Sequence, residues 1–294
     1  MSPFVEEVWS ARLDPAGQWS VPERLVSGYL IWGGGAPGEL AQFGDRLAIA
    51  IPQFESTTNS PALVLLSYFD KVWSVDSIET QTGSLRASTA LSEDRLMVAF
   101  VEADGKAKYD KSSLWTTQRM HSERSFSKAR LLVRGATAPV VFVSASYGVL
   151  DKEFHVVWTQ QGEQSGVLSV AHATVTGADN GSVTDRIAVR SQFASPTSVL
   201  DACGVVHLVF RNATFGSAMS TLEYLTHRDG KWSTELALFQ DMRVIEPLLA
   251  VDLLGRVILI VQAQPAGAPP GAPYVTRYSW LKENKSAAGT PPKL

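Results

Sequence analysis

A chain of 294 residues, 45% of them hydrophobic, can bury roughly three quarters of the surface that its unfolded form exposes. Its 26 basic and 29 acidic residues give a formal charge of −3 and are mixed along the chain, so the electrostatic footprint of a nucleic-acid or anionic-membrane partner is missing. The single cysteine, Cys203, excludes an internal disulfide and reads as a small structural residue in a turn.

The opening "MSPFVEEVWSARLD" has no basic region followed by an apolar run, and no later segment reaches the roughly 20 apolar residues of a membrane span. The expected location is the cytoplasm. "EEVWSARLD" and "GQWSVPERL" then read as two strands, and five hairpins follow at intervals of about fifty residues. They are "GELAQFGDRLAIAIPQ" from Gly38, "SLRASTALSEDRLMVAFVE" from Ser84, "APVVFVSASYGVLDKEFHVVWTQ" from Ala138, "SPTSVLDACGVVHLVFRN" from Ser195 and "EPLLAVDLLGRVILIVQA" from Glu246. Each has a small or apolar first strand, a turn with Asp and often Gly, and a second strand that is a near-continuous apolar run, as in strands covered on both faces.

Two more amphipathic strands separate successive hairpins, and the outer one carries a recurring start: "GQWSVPERL", "KVWSVDSIE", "RSFSKARLL", "GSVTDRIAV" and "GKWSTELAL". Trp19, Trp73 and Trp232 share one repeat position, with Phe126 in place of Trp in the third copy, and read as wedges between neighbouring sheets. Four strands per unit with no helical periodicity predict an all-β, five-bladed β-propeller of four-stranded antiparallel blades, closed by the N-terminal outer strands. "PYVTRYSWLKEN" leaves a six-bladed alternative open. The predicted domain runs over 1–285, with 286–294 as a flexible tail.

The units "DACGVVHLVF" and "DLLGRVILIV", with "HRDGKWS" at His227 to Ser233 as the nearest fragment of a degenerate Asp-box, resemble the blades of the sialidase-like propeller superfamily. The resemblance covers roughly residues 5–282 and implies a central channel. Loops from second to third strand and from fourth to first strand would then open on the ligand-binding face. These loops differ from blade to blade, which favours one asymmetric site over a repeated one.

Aligned second strands end in Gln53, Glu102, Gln160 and Asn212, with Gln262 one residue early. Four carboxamides and a carboxylate at a channel mouth would offer paired donors and acceptors to a hydroxyl-rich ligand. Glu102, with Asp104 and Asp110 nearby, is the candidate general acid or base, because clustered carboxylates push their pKa values apart. Arg86, Arg211 and Arg243 lie near strand ends in three units and would hold a carboxylate bidentately if they converged. "GGGAPG" from Gly33 would bend Trp32 into the mouth. His155 and His207 occupy one repeat position as buried, hydrogen-bonded residues, while His121, His172 and His227 stand isolated in sequence. No metal-binding spacing is present, and no cofactor is expected. The leading expectation is binding of a small polar ligand, a glycan or a polar metabolite. The alternatives are an enzyme using the channel, either a divergent glycoside-type hydrolase or a cyclase-like biosynthetic catalyst, and a protein-interaction scaffold.

Overall fold

The computed structural model of the chain describes residues 6–14, 16–30, 40–54, 61–80, 84–103, 112–134, 140–149, 151–161, 168–176, 183–189, 196–201, 203–213, 220–228, 231–234, 236–240, 242–251, 256–269 and 271–281. Among them there are strands and no helix, and the chain divides into two compact units, Met1–Ala136 and Thr137–Leu294.

The first unit opens with an antiparallel pair, β1 (Glu6–Ser10) and β2 (Glu23–Leu30). A hairpin follows, β3 (Ala41–Phe43) and β4 (Arg46–Phe54), turned at Gly44, whose φ of +62° suits glycine. Then come β5 (Pro61–Phe69) and β6 (Val72–Glu79), giving the order β1-β2-β4-β5-β6 with β3 also on β4. The second sheet runs β7 (Ser84–Leu91), β8 (Arg95–Ala103), β9 (Ser112–Met120) and β10 (Arg130–Val133), each strand on its neighbour.

The apolar run of β8 has the reason expected of it, since Leu96 through Val101 are all buried. Its Leu96, Val98 and Phe100 pack on Ala48, Ala50, Leu63 and Leu65 of the first sheet, the small alanines making room for the phenyl ring. Polar ties fix the same contact. Thr89 donates to the Ala48 carbonyl at 3.0 Å, and Arg119 meets Asp76 at 2.9 Å with its guanidinium 4.9 Å above the Phe126 ring.

The outer face of the first sheet is covered by the N-terminal pair, where Val8, Leu25 and Val26 pack with Ile49 and Trp73 on Ile51, Val64 and Leu66. Trp19 is not the expected wedge. It only bridges Leu13, and it is 69% exposed, while Trp9 is 54% exposed. Pro22 supplies no N–H to a ladder, so the strand starts at Glu23 and Trp19 is left outside it.

In the second unit, β11 (Val140–Tyr147), β12 (Phe154–Gln161), β13 (Leu168–Val175) and β14 (Val183–Val189) form a four-stranded meander. The next sheet has β15 (Pro196–Leu200), β16 (Val206–Ala213) and β17 (Ser220–Arg228). Its outer strand is split into β18 (Lys231–Trp232) and β19 (Leu236–Leu238), both on β17. The last strands are β20 (Met242–Val251), β21 (Val257–Pro265) and β22 (Val275–Leu281), so "PYVTRYSWL" supplies the third strand of the last hairpin's sheet. A single parallel pair, Ser220 with Arg243, joins β17 to β20.

Val157 and Val170 of the meander meet Leu200, Val206, Leu208 and Phe210 of the next sheet. Val209, Leu222 and Tyr224 on the opposite face of that sheet meet Val244, Leu249 and Leu259 of the last strands. Successive sheets therefore stack face on face within the unit. Ser198 donates to Ser144 Oγ at 3.0 Å between the two inner strands.

Candidate functional site

The ladders put the expected ring residues at the ends of the inner hairpins away from their turns. Gln53 pairs with Ala62, Glu102 with Ser84 and Ser113, Gln160 with Val140 and Ser169, and Asn212 with Thr221. Glu102 and Gln160 are buried, at 5% and 8% exposed. Gln262 departs from the set. By the two-residue period it shares the face of Ile258 and Ile260, the face that Arg211 rather than Asn212 occupies in the preceding sheet, and it is exposed. Trp32, Asp104 and Asp110 lie outside the described residues.

Two of the three arginines flank β17 in the second unit, Arg211 opposite Leu222 and Arg243 beside Ser220. Arg211 is half-buried on the face of Val209, which packs on the last strands. Arg243 is the second residue of β20, exposed, with Ser220 beside it in the parallel pair and Gln264 across the ladder. Arg86 belongs to the first unit, half-buried on β7 opposite Val101, where burial holds its guanidinium below its ordinary pKa.

Around Arg211 and Arg243 the structure adds groups that sequence reasoning missed. Thr197, opposite Val209 and so on the same face as Arg211, is buried with its Oγ1 lacking a hydrogen-bond partner. Gln264, opposite Arg243 and on the face of the last strands turned away from Val261 and Ala263, is buried with its Oε1 in the same state. Buried polar atoms without partners are costly in a folded chain, so each needs a reason. On the other face of the sheet, Glu223 is 9% exposed and its Oε1 accepts from Thr221 Oγ1 at 3.1 Å. Its setting in "STLEYLTHRD" reads as a solvent-facing acid in an amphipathic strand, and only the neighbouring meander makes it buried.

His155 and His207 are buried and hydrogen-bonded through both ring nitrogens, as their shared repeat position implied. His172 and His227 are not isolated in space, since their rings lie 4.5 Å apart between the meander and the next sheet. Among the described residues no group of His, Cys, Asp and Glu is arranged to hold a metal ion.

The sequence matches no protein-family model and no curated protein. Solved structures do resemble it. An α-L-arabinanase of Penicillium chrysogenum complexed with arabinobiose gives a TM-score of 0.53 at 11% identity, over 89% of this chain and 82% of that one. The GH93 α-L-arabinofuranosidase of Fusarium graminearum, also with arabinobiose, gives 0.53 at 9%, over 82% and 80%. A xylan β-1,4-xylosidase of Bacillus halodurans gives 0.51 at 12%, over 84% of this chain, which spans about half (52%) of that one. At such identities the likeness shows the fold alone, that of the β-propeller glycoside hydrolases.

Proposed function

We propose that residues 1–285 form one sialidase-like propeller of five blades that binds a small polar ligand, a glycan or a polar metabolite, where Arg211 and Arg243 lie. The observation that carries this reading is the pairing of opposites at that place. The Arg211 guanidinium offers donors, while Thr197 Oγ1, buried on the same face of the sheet, lacks a partner of its own. A ligand bearing hydroxyls with a carboxylate or other acceptor-rich group satisfies both sets at once. The fold shared with arabinan- and xylan-degrading enzymes favours a sugar among such ligands. The cytoplasmic location expected from the sequence belongs to the same proposal and is read by cell fractionation.

The test is a thermal-shift and calorimetric screen of arabino- and xylo-oligosaccharides, uronates and polar metabolites on the whole chain. A ligand at a hundred times its Kd adds about 2.7 kcal/mol of stability, enough for a clear shift. Arg211→Gln is expected to weaken that ligand about 10- to 100-fold, the range of a lost charge-assisted hydrogen bond. A wild-type chain that responds to none of these compounds overturns the reading.

An enzymatic reading is favoured by a different observation. Glu102, next to the last residue of β8 in the first unit, and Glu223, within β17 in the second, are each a buried carboxylate, the kind of group that acid–base chemistry on a glycosidic bond uses.

A further inference from the structure

At the turn ends of the meander and the sheet that follows it, away from the strand ends discussed above, lies a group of titratable side chains that the proposed function does not use. Asp151 Oδ2 faces His155 Nε2 at 2.8 Å, and His155 Nδ1 faces His172 Nε2 at 2.9 Å. An ionised Asp151 keeps the His155 proton on Nε2. His155 Nδ1 is then the acceptor and His172 Nε2 the donor. Gly148 permits the arrangement, because a methyl group there would overlap the Asp151 carboxylate. The Glu153 N–H donates to that carboxylate's other oxygen at 3.1 Å.

His172 is 1% exposed. Its ring lies 4.5 Å from that of His227 on β17, and the Trp232 indole stands edge-on to it at 6.1 Å and packs on His227 at 5.0 Å. The contact between the two sheets is thus three imidazoles deep, with the Asp151 carboxylate at one end.

We propose that this cluster is an acid-sensitive latch: proton uptake by the imidazole of His172, which faces His227, parts the meander from the next sheet along β13 and β17–β18. Among the described side chains, the groups facing His172 are His155 on β12, Asp151 in the β11–β12 turn, His227 on β17 and Trp232 on β18; its ladder partner on β14 is Asp185. A proton added to the buried His172 puts a charge where little water can solvate or screen it. Burial, then the His155 and His227 rings, push the His172 pKa down to about 3, with Asp151 opposing in part. Burial works against ionisation of Asp151, but the hydrogen bonds from His155 and the Glu153 N–H still hold its carboxyl below the ordinary range.

The sign follows from linkage. Below the ordinary histidine pKa of about 6.5 the unfolded chain binds a proton at His172 that the folded chain refuses, so the opened state gains as pH falls toward 3. One such group lowers the folding constant about tenfold per pH unit across that window. The repeat-equivalent set Asp201, His207 and Tyr224 has a phenol where the meander has a second imidazole, with contacts of 3.2 and 2.7 Å.

The experiment compares urea unfolding of the full chain between pH 7.5 and 4.5 for wild type, His172→Gln and Val170→Ala, the last a buried neighbour that titrates nothing. Wild type should lose folding constant about tenfold per unit below pH 6.5. Val170→Ala should be less stable but parallel to it, and His172→Gln should be flatter by about one proton. Hydrogen exchange on wild type at pH 5 should show protection lost first in β13 and β17–β18, a readout that stands even if His172→Gln does not fold. Equal pH slopes in wild type and His172→Gln, or protection lost evenly through the second unit, would overturn the latch.

Discussion

Glu102 sits at the last turn-free positions of β8, 5% exposed, with Ser84 and Ser113 as its ladder partners. If the enzymatic reading holds, this carboxyl is the acid or base, and a group in that role contributes ~10²–10⁴ in rate. Glu102→Gln keeps the shape and most of the hydrogen-bonding capacity, so turnover of an aryl glycoside should fall by about that factor with melting unchanged; undiminished turnover removes the assignment. Glu102 stood out because a carboxylate occupies the place where the aligned strands carry amides. Glu223 and Thr197 did not, since each owes its burial to a neighbouring sheet tens of residues away in sequence. The same holds for His172 and His227, which are adjacent in space but fifty-odd residues apart along the chain.

At the scale of elements the five inner hairpins were legible to within a few residues, because an apolar run bounded by Asp or Gly leaves little choice of fold. The Asp201 turn shows how local that signal is. Its carboxylate accepts from the N–H groups of Cys203 at 2.8 Å and Val205 at 2.9 Å, so the sequence carries its own turn closure. Outer strands were less legible, and "GKWSTELAL" is divided into β18 and β19 where one strand was expected. The β5–β6 turn departs from local preference. Phe69 pairs with Val72 around Asp70 and Lys71, which have φ of 51° and 65°, the paired positive values of a tight hairpin turn that favours glycine at its second place. A left-handed residue with a side chain costs about 1–2 kcal/mol, and glycine's greater freedom in the unfolded chain returns about 0.5–1 of that. Lys71→Gly should therefore stabilise the chain by roughly 0.5–1 kcal/mol. The check is a rise in urea midpoint over wild type, with Lys71→Ala giving no such rise.

At the scale of the whole molecule, repeat counting gave the class, all-β sheets of a propeller kind, and was weakest at the N-terminus, where an outer strand was expected over residues 17–25 and the strand runs Glu23–Leu30. The ladder of residues 23–30 runs to β1 on one side and to Tyr29–Phe54 and Leu30–Gln53 on β4 on the other. The N-terminal pair therefore acts as a cover for the first sheet, and what it contributes should come from its aliphatic side chains rather than from its tryptophans. Leu25 is half-buried on the cluster of Ile51, Val64 and Leu66. Truncating it removes packed methyl groups from a site that the strand ladder prevents from collapsing, at a cost of about 1–3 kcal/mol, below the full range for a wholly buried leucine. Trp19, mostly in water, should tolerate alanine within about 0.5 kcal/mol. Urea midpoints for Leu25→Ala and Trp19→Ala, measured side by side, decide between cover and wedge: a larger loss from Trp19→Ala would mean that the indole is buried in solution and that the N-terminal segment packs as a blade's outer strand after all.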